Sequence, residues 1–200
     1  MERGRFTKLS QERKKLIEVS LPLEAINRES VREKNITSGH PSTLHIWWAR
    51  RPLAACRAIL FSQLVDDPSS NPIDFPTLES QKIERARLFA IIENLAKWEN
   101  SSNESVLTAA KDEIMKGREG KQIDLLDPFS GGGSIPLEAK RLGLNAIAND
   151  LNPLPILINT VILKIVGRFE GKISSANSIS GNSAVTMSED LKKWSEVLQT

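Results

Sequence analysis

The chain has 200 residues, with 27 Lys and Arg against 25 Asp and Glu, one Cys, four Trp and no Tyr. That length is a prior for about one domain, and 40% apolar with 26% charged residues is ordinary globular composition, which excludes wholesale disorder. A single Cys excludes a disulfide-stapled secreted domain and points to a reducing, cytoplasmic compartment. No stretch approaches the ~20 apolar residues of a membrane span, no apolar leader opens the chain, and a net charge of +2 does not by itself argue for nucleic acid.

Residues 1–18 read as a basic arm, with Arg3, Arg5, Lys8, Arg13, Lys14 and Lys15 against Glu2 and Glu12. A frayed, solvated arm, a phosphate-contacting arm and the start of a helix are all open readings. In the next segment, 19–75, Pro22 opens a helix running to about Lys34. Gly39-His40-Pro41-Ser42 then breaks the chain. Pro52 opens a second helix, on which Leu53, Cys56, Leu60 and Leu64 form one apolar face.

Residues 76–120 read as an inserted helical hairpin. Its first helix, 79–98, has Thr77 as N-cap and Leu88, Ile91, Ile92, Leu95 and Trp98 at steps of three and four. Its second spans about 104–116 and stops at Gly117.

The texture changes over 121–170. Ile123-Asp124-Leu125-Leu126-Asp127 is a short apolar run of buried-strand type, and it enters the glycine-rich turn Pro128-Phe129-Ser130-Gly131-Gly132-Gly133-Ser134. A helix follows from Ile135 to Leu142 with Gly143 past its end. A second strand covers Asn145 to Asp150, and Pro153 opens another helix to about Val166. This βαβα order predicts a parallel sheet and an α/β fold class. Residues 171–200 read as a Ser/Asn/Gly-rich loop and the start of a further helix.

A strand that ends in glycines and feeds a helix is a ligand-binding device, because glycines admit close backbone approach and the helix start offers free N–H groups. An acid at the end of the second strand, here Asp150, suits ribose hydroxyls. The three glycines are consecutive, unlike a dinucleotide fingerprint, and the Lys of a P-loop is absent. Asp127 leading into the turn disfavours a pyrophosphate and suits a cationic cofactor such as S-adenosylmethionine. A tight turn that merely needs glycine is the bland alternative.

Asp127-Pro128-Phe129-Ser130-Gly131-Gly132-Gly133 resembles the cofactor motif of amino-group DNA methyltransferases, D-P-F-x-G-S/G-G, and Asn149-Asp150-Leu151-Asn152-Pro153 resembles their ribose-binding motif. His40-Pro41 with Trp47-Trp48-Ala49-Arg50-Arg51-Pro52 resembles the N-terminal signature of a family of adenine-specific DNA methylases whose first segment is a domain of unknown function. The resemblance covers residues 19 to about 170. It implies a mainly helical preamble followed by the start of a Rossmann-like, S-adenosylmethionine-dependent fold. It also implies that His40, Arg51 and Pro52 belong to a segment that closes over the methionine end of the cofactor. Residue chemistry adds that Arg50 or Arg51 suits a carboxylate and that Trp47 or Trp48 suits stacking on a base. Core packing for each Trp, and turn-capping for His40 and His45, are the competing structural readings. One Cys and two His offer no zinc-site spacing, so no metal is expected.

Family members also need a D/N-P-P-Y/F/W motif, whose acid or amide and prolyl carbonyl hold the target amino group and whose ring stacks on the flipped base. The chain contains no Pro-Pro pair; Asn152-Pro153-Leu154-Pro155 is the nearest string. The expectation is therefore a cofactor-binding part that acts on DNA only with a missing C-terminal methyltransferase part. The alternatives are a non-catalytic DNA-interaction module using the basic arm, Arg28, Arg32, Arg50, Arg51 and Arg57, and another nucleotide-dependent enzyme.

Overall fold

A computed structural model describes residues 13–37, 40–116 and 121–165. The elements in chain order are α1 (Leu16–Val19), α2 (Leu23–Glu33), α3 (Pro41–Leu44), α4 (Leu53–Leu64), α5 (Leu78–Ala96), α6 (Glu104–Met115), β1 (Asp124–Asp127), α7 (Ser134–Arg141), β2 (Asn145–Ala148) and α8 (Pro153–Thr160). A π-helical stretch, Val161–Ile165, continues α8. The loop and helix expected over 171–200, and residues 1–12 of the basic arm, lie outside the described residues.

Local side-chain caps begin several of the helices. Thr77 accepts the Ser80 N–H, while the Ser80 hydroxyl accepts the Thr77 N–H; this reciprocal pair begins α5. Asn103 accepts from Ser105 and Val106 at the start of α6. At the end of α7, Gly143 has φ +80°, as a left-handed helix stop requires.

Helix α4 is the axle of the molecule. Its predicted apolar face is present, with Leu53, Cys56 and Leu60 buried, but Ala54, Arg57, Ala58, Phe61 and Ser62 are buried too. The helix is covered on several sides because α2, α5 and α7 all pack on it. The predicted hairpin, α5 and α6, is integral to the same core. Leu88, Ile92, Leu95, Leu107, Ala110 and Ile114 share one apolar cluster with Phe61 of α4 and Ala139 and Leu142 of α7. The described end of the basic arm is docked, not free. Leu16 is wholly buried, its N–H donates to Val65 O at 3.0 Å, and the Asp67 N–H donates to Lys14 O at 2.9 Å.

Strands β1 and β2 pair in parallel, with Asp124 opposite Asn145 and Asp127 opposite Ala148. Each strand alternates exposed and half-buried residues, which differs from the buried run expected from sequence. Leu125 and Ala146 face the core, whereas Leu126 and Ile147 are 62% and 47% exposed. The reason is that α7 packs on one face of this two-stranded sheet, and no described element packs on the other. The mixed, helix-rich α/β architecture is present; the two strands among the described residues do not specify a Rossmann order. Among the described residues, no helix is long and apolar enough to cross a membrane.

Candidate functional site

The glycine turn is built by backbone bonds at one end of the sheet. Asp127 closes β1, and its carboxylate accepts the Phe129 N–H at 3.2 Å. The Asn149 N–H donates to Asp127 O and the Ser130 N–H to Asn149 O, both at 2.9 Å, so the turn continues the strand pairing. Gly131 and Gly133 then take φ values of +47° and +78°, which reverse the chain into α7. Phe129 and Pro128 are exposed, while Ser130, Gly132 and Gly133 are buried.

Asp150 lies just beyond β2 and braces this turn. Its carboxylate accepts the Gly131 N–H at 2.9 Å and the Asn152 N–H at 3.0 Å. The Asn152 and Gly131 amides hold the carboxyl below its usual range. A carboxylate has about four lone-pair sites, so these two bonds leave acceptor capacity for hydroxyls. Asn152 in turn accepts the Leu154 N–H at 3.0 Å and starts α8.

Asn159, on α8, was not singled out from sequence. It is 4% exposed, and its Nδ2 donates to Pro155 O at 2.8 Å and to Ser130 Oγ and Gly131 O at 3.1 Å. Its Oδ1 would lie 2.5 Å from any Cβ placed on Gly133. One amide in the apolar run 153–163 is the signal that marks it.

The segment around residues 40–52 lies against the same turn. A Cβ on Gly131 would come 2.7 Å from the Trp47 Nε1, and one on Gly132 would come 3.0 Å from the Trp47 Cβ. Two of the three glycines are thus needed for the approach of this indole. Trp48 stacks on Trp47 with centroids 4.7 Å apart and planes 16° apart. Arg50 donates from Nη2 to His45 O at 2.7 Å, and Arg51 is exposed.

His40 is 2% exposed, and both its ring nitrogens are engaged within the protein. Nδ1 accepts the Ser42 N–H at 3.1 Å, which assigns the ring proton to Nε2, and Nε2 donates to Glu33 at 3.0 Å. The turn-capping reading of His40 therefore describes its geometry. Glu33 also accepts the Leu53 and Ala54 N–H groups at 2.8 and 2.9 Å, so a carboxylate on α2 caps α4 where Pro52 offers no side-chain cap. Sequence reasoning missed Glu33 because its partners lie twenty residues downstream. Beside it is a cavity of about 250 Å³, whose wall includes Lys34, His45, Trp47, Arg50 and Arg51. No group of three or more His, Cys, Asp and Glu among the described residues is placed to hold a metal ion.

A family model described as "Protein of unknown function (DUF1156)" matches residues 20–91. A second, described as "D12 class N6 adenine-specific DNA methyltransferase", matches residues 82–191, more than half of the chain. The chain belongs to the D12 class methyltransferase family. Its substrate class is accordingly DNA, and proteins of this class generally use S-adenosylmethionine. The D12 match begins inside α5, so most of α5 and all of α6 fall within it, in keeping with their place in the shared core. Neither the curated proteins nor the solved structures contain a match to this chain.

Proposed function

We propose that the chain is the S-adenosylmethionine-binding part of a DNA adenine-N6 methyltransferase, with the cofactor held at the end of β1 and β2. The observation that carries this reading is the convergence of Asp127, the 128–133 turn and Asp150 at the carboxyl ends of two adjacent parallel strands. Ligands bind there in open α/β sheets. The residues present fit such a cofactor. Asp127 and Asp150 place carboxylates at the site, suited to a sulfonium and to ribose hydroxyls. Arg51 is exposed in the wall of the adjoining cavity, free to clamp a carboxylate bidentately. When bound, S-adenosylmethionine supplies an electrophilic methyl group.

In this reading His40, Trp47, Arg51 and Pro52 of the 40–52 segment form the wall of the cofactor site. Glu33 and His40 fix its two ends, Pro52 leads into α4, and Trp47 seats it on Gly131 and Gly132. Pro128, Phe129, Ser130 and Gly133 shape the turn, and Asn152 fixes the chain after Asp150. Transfer to adenine is assigned to a D/N-P-P-Y/F/W motif, which these 200 residues lack.

Isothermal titration of the folded chain with S-adenosylmethionine tests the reading. Saturable binding that Asp150→Ala and Asp127→Ala weaken at least tenfold is expected. Absence of binding to folded protein overturns it. The 200-residue chain should transfer no tritiated methyl group to DNA; counts above a no-protein control would contradict the assignment of transfer to the absent motif.

A further inference from the structure

Ile46 and Trp48 are 87% and 84% exposed, on a segment several of whose other members are tightly held. Trp47 is seated on the glycine turn, Arg50 is bonded to His45 O, and His40 is bonded at both nitrogens. So the two apolar side chains that project are mounted on a fixed base. Trp48 keeps one face on Trp47 and presents the other outward.

The charges around this projection are mostly positive. Lys34, Arg50 and Arg51 line the cavity beside it, and the carboxylate among those lining residues is Glu33. Glu33 is buried and spent on His40 and the start of α4. A stacked indole with a free face, an exposed apolar neighbour and a cluster of cations is the chemistry that holds unpaired nucleotides. A second protein chain would gain the apolar contact but, with Arg51 given to the cofactor, would leave Lys34 and Arg50 to be matched. DNA supplies a phosphate for each.

We propose that Trp48 is a stacking platform for an unpaired base of the DNA substrate, with Lys34 and Arg50 on the adjoining phosphates and Ile46 wedged beside the base. The proposal rests on the methyltransferase reading for the identity of the polymer, but it does not require that S-adenosylmethionine binds. Because Trp48 packs on Trp47, and Trp47 on Gly131 and Gly132, the platform lies next to the proposed cofactor site. The partner that an opened target base leaves behind would be placed there, the target itself being assigned to the ring of the D/N-P-P-Y/F/W motif.

The test uses the 200-residue chain, an oligothymidylate probe and tryptophan fluorescence. Binding should quench the fluorescence. Trp48→Ala should weaken affinity ~5-fold to ~100-fold, the range of a single base–aromatic stack, and Trp48→Phe should recover most of it. The dependence on salt should separate the roles. Trp48→Ala leaves the slope of log affinity against log salt unchanged, whereas Lys34→Ala lowers it by about 0.7, the single-strand value per phosphate. S-adenosylmethionine titration of the same variants keeps the two proposals apart. A loss of oligonucleotide binding with unchanged cofactor binding supports the platform. The same loss in a chain that never binds the cofactor also supports it, while removing the cofactor reading. Wild-type affinity in Trp48→Ala overturns the platform. So does an equal loss of cofactor binding, which would place the effect in the glycine turn. A wild-type dimer in sedimentation that Trp48→Ala dissociates, without change in oligonucleotide affinity, overturns it in favour of self-association.

Discussion

Gly131 and Gly133 combine a positive φ with a crowded neighbour, Trp47 for the first and Asn159 for the second. Alanine at either adds left-handed strain to a contact that no Cβ makes, and should cost about 1–3 kcal/mol. Gly143 has the same backbone conformation, but its nearest neighbour is the flexible Lys111 side chain at 3.5 Å. Gly143→Ala should therefore cost only the strain, about 1–2 kcal/mol. Urea denaturation of the three variants checks the order; a Gly143 variant less stable than both others would contradict the crowding argument. Cys56 gives a second test at this scale. It is buried, and burial, with Glu138 and Glu33 nearby, pushes its thiol up to about 12. As the thiolate is the reactive form, Cys56 should resist a thiol reagent in the native state and react on unfolding. Rapid labelling of native protein would show that α4 opens locally. The glycines were legible in the sequence as a turn, because three in a row after a strand have few other uses. The side chain that requires them was not legible, since Trp47 is more than eighty residues upstream and its contact depends on how α4 packs.

The elements divide in the same way. Helices α2, α5, α6 and α7 were readable from caps, glycine stops and apolar spacing, all of which act within a few residues. The docking of α4 onto α7 was not, because it turns on two charges that a sequence reading places on the surface. Arg57 Nε lies 3.1 Å from Glu138 Oε2, and both side chains are wholly buried. Arg141 lies 3.5 Å from the same oxygen and also donates to Ser101 O. Arg57 is a candidate DNA contact by sequence; its burial excludes that role in this fold. Burial pushes the Glu138 carboxyl above its usual range, with Arg57 and Arg141 acting in the opposite sense. Removing one partner strands the other in the core, so Arg57→Ala and Glu138→Ala should each cost about 3–5 kcal/mol. Replacing both together by Met and Leu should cost far less than the two single changes combined, because no charge is left unpaired. A double-mutant cycle of Arg57→Met, Glu138→Leu and the variant carrying both, measured by urea denaturation, decides this, and additive losses would show that the pair is not coupled. Since α7 begins at the glycine turn, the same pair ties that turn to the segment that ends in α4.

At the scale of the whole molecule, several connections between distant segments are carboxylates held by cations or amides. Glu33 ties α2 to α4 and His40, Asp67 takes Arg85 Nε and Nη2 at 2.9 and 2.8 Å, and Glu113 of α6 pairs with Arg87 of α5. Burial works to raise all three, but hydrogen bonds from His40, Arg85 and Arg87 outweigh it, and each carboxyl sits below its ordinary value, 4.5 for Glu and 3.8 for Asp. A carboxyl with a lowered folded-state pKa contributes stability that is present above the unfolded pKa and lost as pH falls through the folded one. The melting temperature should therefore hold down to about pH 5 and fall steeply below it, as acid protonates these groups. Glu138 has the opposite sign. Its raised pKa contributes stability that is complete below 4.5 and is lost at higher pH, outside the acid window. Glu33→Gln, Asp67→Asn and Glu113→Gln should each lower stability at neutral pH and flatten the acid limb, whereas Glu138→Gln should leave that limb's steepness unchanged. Melting curves between pH 7 and pH 3 for the four variants make the comparison. An acid limb of unaltered steepness in Glu33→Gln would mean that the carboxylate joining the 40–52 segment to α4 does not hold the fold together, and that the wall of the proposed site is supported from elsewhere.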